Sequence, residues 1–205
     1  MRLVASIVAA AVLMAAPAHA AWKAFKYPEL GFGVDFPAEP KMSKGEYRGV
    51  VAGRVPTTVI SAEADDTTYQ VIIADFTNRP MDTPTILMEA AFLAEQDGKL
   101  LADTIARTDN GQKFAKYGRR ISVMTKDGGK KTTEVYLVNG KLLLFEGIIS
   151  PKGDIGNPEA ARFQDSIMFN LERDWTIPPP LPNDPNNGPR LLAPVRPGQP
   201  APNAR

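Results

Sequence analysis

Between Trp22 and Asp174, apolar residues recur mostly at every second position, the period of a half-buried β-strand. Trp22, Ala24 and Phe25-Lys26-Tyr27 predict a first short strand. Phe32-Gly33-Val34-Asp35-Phe36 predicts a second, which Pro37 stops. Residues 55–64 and 68–76 predict a hairpin turned by Asp65-Asp66. Residues 100–107 and 112–117 flank Asn110-Gly111, and 121–125 and 131–138 flank Asp127-Gly128-Gly129. Asn139-Gly140 joins 135–138 to 141–145, the dipeptide favoured in a type I′ hairpin. Residues 41–44 read as a polar loop.

One strand departs from strict alternation. Leu142-Leu143-Leu144-Phe145, followed by Gly147-Ile148-Ile149, places apolar side chains on both faces of a sheet. Such a strand needs cover on both sides. Two predicted helices supply it. Thr83-Pro84 reads as an N-cap followed by proline at the first helical position, with Gly98 as the stop. Between them Ile86, Leu87, Met88, Ala90, Ala91, Phe92, Leu93 and Ala94 make a helix that is apolar nearly all round, with Glu89 and Gln96 on a narrow polar strip. Met88 and Phe92 stand four apart, on the flank that faces away if Ile86, Ala90 and Leu93 face the sheet. They form a candidate apolar docking pair; the alternative is that a loop or a long side chain covers them. Asn157-Pro158 opens a second, short helix carrying Ala160, Phe163 and Ile167 on one face, and Ile167-Met168-Phe169 predicts a last strand. This order of elements is α+β: a central antiparallel sheet of about six or more strands flanked by helices.

The two ends of the chain differ from this middle. Arg2, the apolar run 3–16 and Ala18-His19-Ala20 have the form of a secretory signal peptide cleaved after Ala20. Residues 176–205 hold ten prolines in thirty positions and no apolar periodicity, which predicts a disordered proline-rich tail. The organisation is therefore a signal peptide at 1–20, one globular domain at 21–175 with Trp22 and Trp175 at its ends, and the tail. A domain of that size buries about 68–70% of its unfolded surface, enough to hold without disulfides. The address is periplasmic or secreted.

Composition then narrows the chemistry. The chain has no cysteine, and its one histidine, His19, leaves with the leader. Removing Arg2 as well leaves 23 bases against 23 acids, with no global pull toward nucleic acid or an anionic membrane. Without His or Cys, zinc sites and ordinary serine or cysteine hydrolase triads are excluded. No Ser-x-x-Lys occurs. Asp65-Asp66 is the adjacent acidic pair of the globular domain, and turn geometry accounts for aspartate there. No catalytic residue, metal ligand or cofactor is assigned.

Charge is unevenly distributed along the chain. Lys113, Lys116, Arg119, Arg120, Lys126, Lys130 and Lys131 meet only Asp127, while residues 63–109 carry ten acids against three bases. The basic run is a candidate patch for an anionic partner. The alternatives are a solvated edge hairpin, or a patch neutralised by the acidic half.

Two stretches resemble a known family. Gly31-Phe32-Gly33-Val34-Asp35-Phe36-Pro37-Ala38-Glu39-Pro40 is similar to the opening of secreted bacterial domains with the Mog1p/PsbP-like fold, and the stretch from Glu159 through Arg162-Phe163 and Asp165-Ser166 to Ile167 is similar to their closing helix. Gly33 replaces a common Ser, and Gln164 and Ile167 replace Leu and Phe. The resemblance covers about residues 22–171 and implies an antiparallel sheet between helices, an α/β/α sandwich, in proteins that mostly bind other macromolecules. The expected function is an exported non-enzymatic binding or assembly module, its partner another envelope protein or an anionic envelope component. A periplasmic carrier of an apolar or lipid ligand and a histidine-free carboxylate enzyme stand as alternatives.

Overall fold

The structure, a computed structural model, describes residues 22–79, 82–108 and 116–169. The expected leader, the Asn110-Gly111 turn, Lys113, Trp175 and the proline-rich tail lie outside the described residues. β1 (Lys23–Tyr27) and β2 (Phe32–Phe36) form a hairpin of their own around a short 3-10 turn, Pro28–Leu30. The main sheet has seven strands: β3 (Lys41–Gly49), β4 (Gly53–Ala64), β5 (Thr67–Asp75), β6 (Gly98–Thr108), β7 (Lys116–Thr125), β8 (Lys130–Val138) and β9 (Lys141–Ile149). Their spatial order is β3-β4-β5-β9-β8-β7-β6, and every pair is antiparallel. Helix α1 (Thr83–Glu95) carries the chain from β5 to the far edge, from which β6 to β9 step back until β9 lies against β5. Helix α2 (Glu159–Asp165) follows β9. The chain is thus α+β, a large antiparallel sheet with helices packed on it.

Turn chemistry closes the hairpins. Asp65 and Asp66 both have positive φ, +49° and +56°, and Asn139 and Gly140 have +51° and +74°. These are the left-handed conformations of tight hairpin turns, which Asn, Asp and Gly adopt at least cost.

Two apolar cores lie on opposite faces of the sheet, and alternation along β9 sorts them. Leu142 and Leu144 join Ile86, Ala90, Ile121 and Val135 under α1. Leu143 and Phe145 join Phe32, Phe36, Tyr69 and Phe163 beneath the β1–β2 hairpin and α2. Aromatic rings organise the second core: Phe32 meets Phe145 edge-on at 5.4 Å between centroids, and Tyr69 meets Phe163 at 5.5 Å. Gly147 belongs to the same face, and a Cβ there would stand 3.0 Å from the Ala160 Cβ, so glycine is what lets α2 lie close on β9.

Several boundaries differ from the sequence expectation. The polar stretch at 41–44 belongs to β3, an edge strand whose first six residues are all exposed, so no apolar alternation marks it. One strand, β7, runs through 116–125 where two shorter ones were expected. The cap of α1 is Asp82, one residue earlier than Thr83: its Oδ2 accepts from the Thr85 N–H at 3.0 Å, and its Oδ1 accepts the Thr85 hydroxyl at 2.7 Å. Ile167-Met168-Phe169 makes one bridge, Met168 to Gly33, rather than a strand. Glu89, placed by periodicity on a polar strip, is buried: its carboxylate accepts the backbone N–H groups of Val51 and Ala52 and the Tyr47 hydroxyl, tying the β3–β4 turn to α1.

Gly147→Val is expected to lower stability by about 1–3 kcal/mol by forcing α2 off β9. Glu89→Ala is expected to cost a similar ~1–3 kcal/mol by leaving two turn N–H groups without an acceptor. Urea unfolding of both variants measures these losses.

Candidate functional site

The six described bases of the basic run do not share one surface; the seventh, Lys113, lies outside the described residues. Adjacent residues of a strand point to opposite faces, so β7 sends Arg119 to the α1 side and Arg120 to the α2 side. Lys116 and Lys126 are exposed at opposite ends of β7, whose ten residues span roughly 30 Å. Lys130 reaches the Ile155 carbonyl at 3.4 Å.

The other three bases each meet a carboxylate. Arg119 binds Asp103 through two nitrogens, with Nε to Oδ1 at 3.0 Å. Arg120 pairs with the buried Glu134 and reaches Asp165 at 3.4 Å, while the Tyr136 hydroxyl donates to Glu134 at 2.6 Å. Burial raises the Glu134 carboxyl above the usual range despite the Tyr136 hydroxyl and Arg120. Burial lowers the Arg120 guanidinium, but Glu134 and Asp165 outweigh it and leave it raised. On the opposite face Lys131 lies 2.6 Å from Glu146 and 2.8 Å from Asp97, and Thr133 and Gln70 also donate to Glu146 at 3.2 and 2.6 Å. Burial again pulls the Lys131 ammonium down, and its two carboxylates more than offset that. Among the described residues, only Asp97 and Asp103 of the ten acids between 63 and 109 meet these bases; Glu134, Glu146 and Asp165, later in the chain, supply the other carboxylates.

The apolar pair has a different setting. Met88 and Phe92 are 66% and 54% exposed, and Ile86 and Ala90 are buried against the sheet. Leu93, expected to face the sheet, is half-buried, and the small Ala91 and Ala94 complete the buried face. Met88 lines an open groove of about 440 Å³ between α1 and the β6–β7 edge, together with Pro84, Leu87, Ile105 and Tyr117. Ile105 and Tyr117 are 75% and 63% exposed. The Arg107 guanidinium lies 5.9 Å from the Tyr117 ring centre, a cation–π contact. Leu100 and Leu101 of β6 are exposed as well. Six of the ten exposed large apolar side chains among the described residues thus belong to α1, β6 and the start of β7, so this is the apolar side of the domain. Ile105 and Tyr117 were not singled out from sequence. Their alternation predicts strands, but only the sheet order reveals that β6 is an edge.

Among the described residues the buried and paired acidic side chains lie apart. Glu134 pairs in register with Phe145, and Glu146 with Thr133, so the two buried carboxylates point to opposite faces. Asp65 and Asp66 line a shallow hollow of about 360 Å³ with Glu63 and Ser150 at a hairpin tip. Among the described residues no group of three His, Cys, Asp or Glu side chains is placed to hold a metal ion. No helix among them is long and apolar enough to cross a membrane.

No family model matches the chain, and no curated protein matches it. Among solved structures it is similar to the solution structure of cyanobacterial PsbP (CyanoP) from Synechocystis sp. PCC 6803, with 16% identity, a TM-score of 0.47, and coverage of 74% of this chain and 94% of that one. The likeness concerns the fold alone.

Lys131→Ala leaves Glu146 buried without its cation and is expected to cost about 3–5 kcal/mol, whereas Lys131→Met combined with Glu146→Leu recovers most of that loss. Because the folded Lys131 value lies above the ordinary 10.5, its contribution is fully present below that pH and is lost as pH rises through the folded value. Unfolding free energies across this alkaline range should therefore fall more steeply for the native chain than for the double variant.

Proposed function

We propose that this chain is an exported, non-enzymatic binding or assembly module of the cell envelope. The observation that carries this reading is the open apolar groove between α1, β6 and β7, where Met88, Ile105 and Tyr117 face solvent. A stable monomer gains nothing by exposing such side chains together; a contact surface does. The buried charges fit the same reading. Arg120–Glu134 and Lys131–Glu146 sit inside paired networks rather than beside a cleft with room for a substrate.

The partner is another envelope protein in preference to an anionic component. Arg119, Arg120 and Lys131 are engaged with carboxylates of the same chain, which leaves, among the described residues, Lys116, Lys126 and Lys130 spread along β7 and the following turn. The groove also favours a second reading, a carrier of an apolar ligand, because its volume falls within the range of small-molecule sites.

Affinity capture from native envelope extract tests the two readings. Met88→Asp with Phe92→Asp is expected to reduce recovery of a specific partner at least tenfold without changing the melting temperature, while Lys126→Glu leaves it unchanged. Equal recovery with the apolar variant refutes the groove as the contact surface. A lipid retained in native mass spectrometry and lost in the same variant favours the carrier.

A further inference from the structure

The groove's edge strand is complementary to itself. Among the described residues, β6 pairs with β7 alone, so its outer row of backbone N–H and C=O groups faces away from the sheet. A β-bulge between Leu100 and Ala102 interrupts the register, which leaves 102–108 as the regular segment. The middle residue of that segment is Ile105, which is more exposed than Met88 or Tyr117 in the same groove. Asp103 and Arg107 stand two residues on either side of it, on the same face.

Resting on the binding-module reading, the geometry points to a second copy of this chain as the occupant of the β6 edge. The two copies pair antiparallel about a two-fold axis through Ile105. In that register Ile105 faces its own counterpart, and each Asp103 faces an Arg107 of the other copy. Asp103 already holds Arg119, so the interface extends an existing ion pair into an alternating row. A register centred on Asp103 would set that carboxylate against itself, and like charges directly opposite are destabilising. The axis stands perpendicular to the sheet and keeps both α1 helices on one face. Helix α1 packs mainly on β7 and β8 and leaves β6 open, so the two grooves merge into one apolar trough over the axis. The opposite edge is built differently: β3 carries Lys41, Lys44, Glu46 and Arg48 among nine residues, charges that discourage strand addition.

The test uses protein purified from cells expressing the full-length sequence. Sedimentation equilibrium is expected to show a monomer–dimer equilibrium that Ile105→Asp weakens at least tenfold with circular dichroism unchanged. The chain has no cysteine, so Ile105→Cys supplies a single thiol at the axis. Residues facing each other across antiparallel strands have Cα atoms about 4.5–5.5 Å apart, inside the range a disulfide spans. Ile105→Cys is expected to form a linked dimer on mild oxidation, while Met42→Cys on the β3 edge, also exposed, stays unlinked. A monomer from micromolar to millimolar concentration overturns the proposal, as does linkage of Ile105→Cys no faster than Met42→Cys. A monomer that still captures a different envelope protein through Met88 and Phe92 refutes the second copy and leaves the binding-module reading standing. A monomer that retains lipid refutes both.

Discussion

Strand β9 is buried on both faces along nearly all its length, and the layers of this domain follow from that constraint. An apolar strand in the middle of a sheet must be covered twice. Leu142 and Leu144 are covered by α1, which spans one face as the chain crosses from β5 to the far edge. Leu143 and Phe145 are covered by the β1–β2 hairpin and α2, which come from the two ends of the described chain. The Met168–Gly33 bridge ties those two ends together directly. Closing the second face therefore depends on contacts more than a hundred residues apart, and the aromatic stack around Phe32, Phe145 and Phe163 is where they meet.

The same two-sided burial explains why charges occur in the interior. Glu134 and Glu146 lie at the centre of the sheet, one on each face, and isolated buried carboxylates would be costly. Arg120 and Lys131 reach them from neighbouring strands. A local excess of basic residues in sequence thus becomes, in three dimensions, the counter-charge of acids that lie elsewhere in the chain. Cover is also uneven. Helix α1 sits over β7 and β8, and the edge beyond them stays apolar and open. That asymmetry gives the domain one side suited to contact.

Much of the fold was legible because its signals are local. The Asn139-Gly140 turn, the alternation through β4 and β5, and the unbroken apolar run of β9 each follow from rules that span a few residues. β3 was not legible, since an edge strand exposed on both faces has no reason to alternate. Glu89 was misplaced because helical periodicity cannot know that the β3–β4 turn will present two N–H groups to it. For Met88 and Phe92 the sequence left two readings open, exposed or covered by a loop or long side chain, and the packing of α1 leaves both exposed. Their companions Ile105 and Tyr117 were not legible, because they come from strands whose place at the edge is a matter of topology.

The sequence by itself determined the secondary structure of the hairpins, the need for two layers around one apolar strand, and the absence of histidine and cysteine chemistry from the domain. These depend on side-chain period, turn conformation and composition, all of which act over short stretches of chain. The tertiary structure decided which bases meet which acids, which strands lie at the edges, and which apolar residues are left uncovered. Those outcomes depend on strand order and on distances between residues far apart in the chain, and no local pattern contains them.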